Sequence, residues 1–537
     1  MRIIILIYFV FLFQLIFSQT APNKYWVKLK DKNYNQYSIS NPEEFLSKRA
    51  IDRRNRHNIA IEENDLPITK VYIDSIEQTG ASIILKSKWF NAVTIETDNN
   101  SVLDAIENLS FVDYIEYYTK SYNKETDINK AKSINDYYDY GDAYTQINIH
   151  SGEILHNMGY RGQGMLIAVI DAGFTNVNTL EAFAPLFNEG RIIATRDFVD
   201  GDDDVYHANT HGQMVLSTIA LSLNNELVGT APEANFVLLR SEDGASEYKI
   251  EEDNWISAAE FADSIGVDVI NTSLGYNIYD DIAQSYTYSD MNGETARISI
   301  GADICTSKGI AIVVSAGNEG SSSWHYITAP ADARSVLAVG AISSTETIAS
   351  FSSRGPSSDG RTKPDVVAIG SSATVLSTNG DVTTGYGTSF AAPIIAGLVA
   401  CLWQVNPEIS NTELFDVIKQ CSSQYENPDN NYGYGIPNFY KAYTKIKINI
   451  NSDEVYLSSE NPFNNEINFV VKSVDEDNIR IVFSDILGRI IYSDQKKAYA
   501  DSVNKYIIND VSHLAEGIYM LKVYHSNKEY EFKMMKN

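Results

Sequence analysis

Cysteine is almost missing: the 537-residue chain holds three, Cys305, Cys401 and Cys421. An odd number with no CxxC pair supplies neither a disulfide framework nor a zinc site. The three read as small buried apolar residues, with one Cys401–Cys421 bridge as the alternative. Basic residues are scarce as well. Against 70 Asp and Glu stand 42 Lys and Arg, for a formal charge of −28. That argues against a nucleic-acid binder, since phosphate backbones are held by clustered Lys and Arg. Long apolar runs are missing beyond the N-terminus, so no later segment is expected to cross a bilayer as a helix of ~20 residues. Internal repeats are missing too.

What is present divides the chain into four. Arg2 precedes an apolar run from Ile3 to Leu15, broken by Gln14 and continued by Ile16, Phe17 and Ser18. Residues 1–18 therefore read as a secretory signal, the alternative of a membrane anchor being stopped short by polar Gln19 to Lys24. Residues 19–135 hold a charged helical stretch, Glu43 to Arg56, then two strands in Ala81–Thr97, a helix over Ser101–Leu109 and a strand over Val112–Tyr118. Its basic run, Lys48 to Arg56, reads as a solvated helix face. A polar linker, Ser121–Tyr140, follows. In residues 136–444, Val/Ile-rich runs (Leu166–Ile170, Asn235–Leu239, Val267–Ile270, Ile310–Val314, Val336–Val339) alternate with helical segments. Such runs suit strands buried on both faces, which makes the fold class α/β with a mainly parallel sheet. Residues 445–537 switch to short alternating strands, Ile467–Val471, Ile479–Phe483, Ile490–Tyr492 and Tyr519–Tyr524, and read as an all-β module.

Four residues in the third region carry chemistry, and each also has a plain structural reading. Asp171 ends a buried strand in Ala168-Val-Ile-Asp-Ala-Gly173, where a carboxylate needs a partner or caps a turn. His211 opens a helix whose face is Val215, Leu216, Ile219 and Ala220. Ser389 lies in Gly385-Tyr-Gly-Thr-Ser-Phe-Ala-Ala-Pro393, which runs into an apolar helix. Pro393 is expected near the first turn of that helix, where a missing N–H does little harm. Ser389 either caps the helix or uses its N-terminus to stabilise negative charge beside its oxygen. Asn318, in Ser315-Ala-Gly-Asn-Glu-Gly320, is an oxyanion donor or a turn residue.

The order Asp, His, Asn, Ser and the blocks around them resemble the motifs of the subtilase family, whose triad runs Asp…His…Ser. Asn271-Thr-Ser-Leu-Gly275 is similar to that family's substrate-binding strand. The resemblance covers about residues 141–442 and implies a secreted serine endopeptidase acting on polypeptides. Ser389 would be the nucleophile, His211 the base, Asp171 the orienting carboxylate, Asn318 the oxyanion donor, and Ser273, Leu274 and Gly275 the substrate-pairing strand. One departure is Gln213-Met-Val-Leu216 after His-Gly, where the family usually has Thr and Val-Ala. The resemblance also makes residues 19–135 an α+β propeptide cut within Ser121–Tyr140. The last module resembles the C-terminal sorting domain of the bacterial type IX secretion system, through Asn461-Pro-Phe463, Asp485-Ile-Leu-Gly-Arg489, Leu514-Ala-Glu-Gly-Ile-Tyr519 and the basic end Lys533–Lys536. Its implied partner is that secretion machinery, and its alternative is an accessory β-sandwich that binds a surface or sugar.

No cofactor is needed for such catalysis. A structural Ca2+ is considered at Asp200, Asp202 and Asp204, although position six of an EF-hand counted from Asp200 is Val205 rather than Gly; a solvated acidic turn is the plain reading. Gly387-Thr-Ser-Phe-Ala391 lacks the second Gly of an α/β-hydrolase elbow, and Gly162-Gln-Gly164 precedes its strand instead of following it, which argues against a dinucleotide site. The competing function is a catalytically silent copy of the same fold, used as a surface adhesin.

Overall fold

A computed structural model of the chain describes residues 23–118, 138–448, 454–457, 463, 465–473, 476–499, 502–526 and 528–536. The signal-like run at 1–18 and most of the linker expected to be cut lie outside the described residues.

The centre is a seven-stranded parallel sheet. Its spatial order is Val366–Ile369, Leu337–Ile342, Ala311–Ser315, Val269–Thr272, Leu166–Asp171, Asn235–Arg240, Ile192–Asp197. Every residue of Leu166–Asp171 is buried, because helices cover both faces. Ile167 and Val169 pack into the core that includes residues of the helices His211–Ala220 and Thr388–Val405. Leu166, Ala168 and Ile170 pack into the opposite core, with the helices Ile250–Ile265 and Arg297–Ser307. This is the α/β layering expected from the Val/Ile runs. The chain adds strands first on one side of Leu166–Asp171 and then on the other. The C-terminal end of that strand is therefore a topological switch point, where open α/β sheets place their sites.

Two sheet strands were not foreseen. Ile192–Asp197 is a half-exposed edge strand and Val366–Ile369 is only four residues long. The helix Thr388–Val405 is long and apolar enough to cross a membrane, but the window that passes that test is 83% buried inside the protein. All three cysteines are free, with Cys305 and Cys401 buried and Cys421 half-buried.

The N-terminal unit is α+β. Four antiparallel strands run in the order Ser82–Ser87, Ala92–Glu96, Lys24–Leu29, Val112–Tyr117. Ile73 and Ile76 of the helix Lys70–Glu77 and Ile106 of the helix Asn100–Glu107 join Val27, Val93 and Ile95 in its core. The expected solvated face of Lys48–Arg56 is corrected here. Arg53 and Arg54 are buried. Both donate to Asp263 of the helix Ile250–Ile265, at 2.6 and 3.0 Å, and Arg54 also bonds Asp65 at 2.7 Å. Lys88 reaches the other Asp263 oxygen at 3.1 Å. Burial works to raise the Asp263 pKa, but Lys88, Arg53 and Arg54 overcome it and hold the carboxyl well below its ordinary value. Three residues further back, Glu260 accepts from the Ser87 hydroxyl and from the backbone N–H groups of Lys88 and Trp89, at 2.6 to 3.0 Å. The helix Ile250–Ile265 thus holds the N-terminal unit through two buried carboxylates.

The C-terminal module has two antiparallel sheets, one of three strands and one of four. Phe469 and Val471 from one and Phe483, Leu521 and Val523 from the other share a core. The four expected strands are present, joined by Glu454–Leu457, Ser502–Ile508 and Lys528–Lys536.

Candidate active site

Asp171 stands at the end of the central strand with no exposed surface. Its Oδ1 accepts from the Ala172 N–H at 2.8 Å and from His211 Nδ1 at 2.7 Å. A carboxylate oxygen of this kind accepts, so Nδ1 carries the proton and Nε2 is the basic nitrogen. His211 is the first residue of its helix, and Asn209 Oδ1 accepts its backbone N–H at 2.9 Å. The departure at Gln213 is absorbed by the core. Its buried side chain donates to the Leu376 carbonyl at 2.9 Å.

Ser389 is the second residue of Thr388–Val405 and is buried. Gly387 precedes the helix with φ of +148°, a conformation in which a side chain is strained. As one of the first residues of a helix, Ser389 has a backbone N–H with no acceptor inside the helix. Pro393 is not in the first turn, as expected, but sixth in the helix. Its missing N–H is the one that would bond the Ser389 carbonyl. Ser273 fills that gap: its hydroxyl donates to the Ser389 carbonyl at 2.8 Å and accepts from Asn271 Nδ2 at 3.0 Å. The Ser389 hydroxyl in turn donates to the Ser273 carbonyl at 3.3 Å. The strand end and the serine are therefore tied together twice.

Asn318 is exposed on the turn after Ala311–Ser315. Its Oδ1 accepts from the Thr388 N–H at 2.9 Å and from the Thr388 hydroxyl at 3.0 Å. Those two bonds fix the carbonyl end of the amide and leave its NH2 end facing away from Thr388. The structure thus brings Asp171 to His211, Ser273 to Ser389, and Asn318 to the residue before Ser389. Leu274 and Gly275 continue from Ser273, half-buried and exposed.

The residues that sequence reading missed are the supports, Asn209 and Thr388, and a carboxylate group beside Asp171. Glu242, Glu247 and Glu251 each place an oxygen within 4.8 Å of the other two. Burial pushes Glu242 up to about 7 against its bonds from Tyr276 and Ser241, and the charge of Asp171 adds to the rise. Glu247 and Glu251 are raised well above their ordinary values by burial and then by their acidic neighbours. Burial and mutual repulsion thus disfavour three full charges side by side near Asp171. No periodicity in Ser241–Glu251 marks it. In the acidic loop, Arg240 donates to Asp197 at 2.7 Å and to Asp200 at 2.6 Å, supplying a cation from the protein. Asp202 and Asp204 are exposed and accept the N–H two residues ahead, as solvated turn residues do.

Residues 162–435 match the subtilase family, residues 24–134 match the peptidase S8 propeptide domain of Bacteroidota, and residues 461–537 match the secretion system C-terminal sorting domain. Serine protease AprX of Bacillus subtilis (strain 168) is 31% identical over 320 residues, covering 54% of this chain and 68% of that protein. Subtilisin E of the same organism is 32% identical over 295 residues, covering 54% of this chain and 68% of that protein. Subtilisin of Bacillus pumilus is 32% identical over 295 residues, covering 54% and 94%. The sorting domain accounts for a secreted or cell-surface protein exported through the type IX machinery. The chain belongs to the subtilase family, as a subtilisin-like serine endopeptidase made with an N-terminal propeptide and a C-terminal sorting domain.

Proposed function

We propose that the mature protein hydrolyses peptide bonds of polypeptides through an acyl-enzyme on Ser389. The observation that carries this reading is the 2.7 Å bond between Asp171 and His211, set beside a serine at a helix start and an amide locked by Thr388. As substrate enters, the Ser389 hydroxyl turns from the Ser273 carbonyl and attacks the scissile carbonyl. His211 takes its proton at Nε2 and later returns it to the leaving amine, while Asp171 holds the tautomer and stabilises the imidazolium. The Asn318 NH2 and the Ser389 N–H receive the oxyanion. Ser273, Leu274 and Gly275 pair with the substrate backbone as an added strand.

The direct test is labelling of the mature protein by a fluorophosphonate probe. A chain that takes no label is the silent adhesin instead. Replacing Asn318 with Ala should lower kcat about 10²–10³-fold while leaving KM nearly unchanged, a size carried over from the equivalent loss in subtilisin itself. An equal fall in labelling rate checks that the loss lies in the chemical step.

Every group in this mechanism comes from the chain, so no metal is needed for catalysis. EDTA is expected to leave the initial rate unchanged. A thermal midpoint that falls on chelation at constant initial rate would assign a structural Ca2+ outside the chemistry. Loss of the initial rate itself would overturn the metal-free mechanism.

A further inference from the structure

The helix that opens with His211 has a weakly held start. Its N-cap, Thr210, makes no side-chain bond to the first turn, and that turn carries no acidic residue. A helix start leaves its first N–H groups without acceptors inside the helix, and a capping side chain usually supplies one. Here Asn209 takes the His211 N–H, and Gln213 holds the turn from the side. Its Nε2 donates to the Leu376 carbonyl at 2.9 Å. Ser217, one turn further along the same face, accepts the Leu376 N–H at 2.9 Å. Both backbone groups of one residue are thus bonded to side chains of the helix that carries the base.

Leu376 belongs to the segment that leads to the nucleophile. It ends the strand Ser371–Leu376, which pairs with Val382–Tyr386 in a two-stranded sheet separate from the central one. The Gly387 N–H closes that hairpin on the Gly370 carbonyl at 2.8 Å, and Thr388 and Ser389 follow directly. The Gln213–Leu376 bond therefore runs from the turn bearing His211 to the hairpin that delivers Ser389. Stability does not account for the glutamine. Its side chain is fully buried, yet Oε1 has no hydrogen-bond partner, a cost that an apolar residue of the same size would not incur. We propose that Gln213 is a positioning residue of the hydrolysis proposed above, on which this inference rests. Through Leu376 it sets His211 Nε2 against the Ser389 hydroxyl without touching substrate. Proton transfer between those two atoms needs hydrogen-bond reach, so the register of the turn matters to the chemical step.

The test uses the full chain, allowed to mature, with one tetrapeptide p-nitroanilide as substrate and active sites counted by fluorophosphonate titration. Gln213→Met keeps the length and removes the donor. It should lower kcat per titrated site by about 10-fold or more with KM within about 2-fold, since a misplacement of ~1 Å can cost about 100-fold. The second-order labelling rate should fall in parallel. Ser217→Ala frees the Leu376 N–H but lies a turn away from His211, and should leave kcat within about 2-fold. Gln213→Asn, whose amide is one methylene shorter, reads the same loss where the methionine variant does not mature. An unchanged kcat per titrated site in the Gln213 variants makes the residue a core filler and overturns the proposal. So does an equal fall in Ser217→Ala, or failure of both Gln213 variants to mature. An unaltered protein with no titratable serine overturns the proposed hydrolysis itself, and the positioning role with it.

Discussion

Replacing Ser389 with Ala is expected to abolish fluorophosphonate labelling and to lower kcat by about 10⁶-fold, the size known for subtilisin itself and borrowed from it. Little else should change. The bond that the Ser273 hydroxyl makes with residue 389 goes to the backbone carbonyl, which alanine retains. The helix start, with Gly387 before it and the Thr388 bonds to Asn318, does not involve the Ser389 side chain. Thermal unfolding should therefore shift by less than about 1 kcal/mol, within the range of mild substitutions. A protein that loses its label together with its fold would show instead that Ser389 is structural. A variant that labels as well as the parent would move the nucleophile elsewhere.

The second large effect is on folding. Asp263→Ala should destabilise the unprocessed chain by about 3–5 kcal/mol, because it strands buried cationic groups that now share one carboxylate. Urea unfolding of the chain in a Ser389→Ala background, where it cannot digest itself, measures this. The pH dependence has a definite sign. The folded-state pKa of Asp263 is depressed, so its contribution is fully present above the unfolded value near 4 and is lost only as pH falls through the lower folded value. Between pH 5 and 8 the cost of the substitution should be constant. A cost that faded across that range, or stayed below 1 kcal/mol, would remove Asp263 from the interface.

The central strands were legible because burial on both faces selects unbroken Val and Ile, as in Leu166–Ile170. Ile192–Asp197 was not, because an edge strand keeps polar Thr195 and Arg196 and shows no run. The N-terminal helix was read as solvated because the carboxylate shared by its two buried arginines is remote in sequence. Asp263 lies more than 200 residues from Arg53 and Arg54. The site divides the same way. Asp171, His211, Asn318 and Ser389 were nominated by the blocks that flank them. Their supports were out of reach, since Thr388 meets Asn318 across 70 residues and Ser273 meets Ser389 across 116. Pro393 was misplaced by a turn, and only the structure shows which carbonyl it leaves for Ser273.

The two carboxylates on Ile250–Ile265 have a consequence for the enzyme after its N-terminal unit has gone. Glu260 and Asp263 stay behind, and the groups that donate to them, the Ser87 hydroxyl, the Lys88 and Trp89 N–H groups and the Lys88, Arg53 and Arg54 side chains, leave with the departing piece. Water can hydrate the two vacated anions at once. On release of the N-terminal unit, that face of the helix Ile250–Ile265 would thus become a wettable surface carrying two carboxylates with no protein cation of that unit beside them.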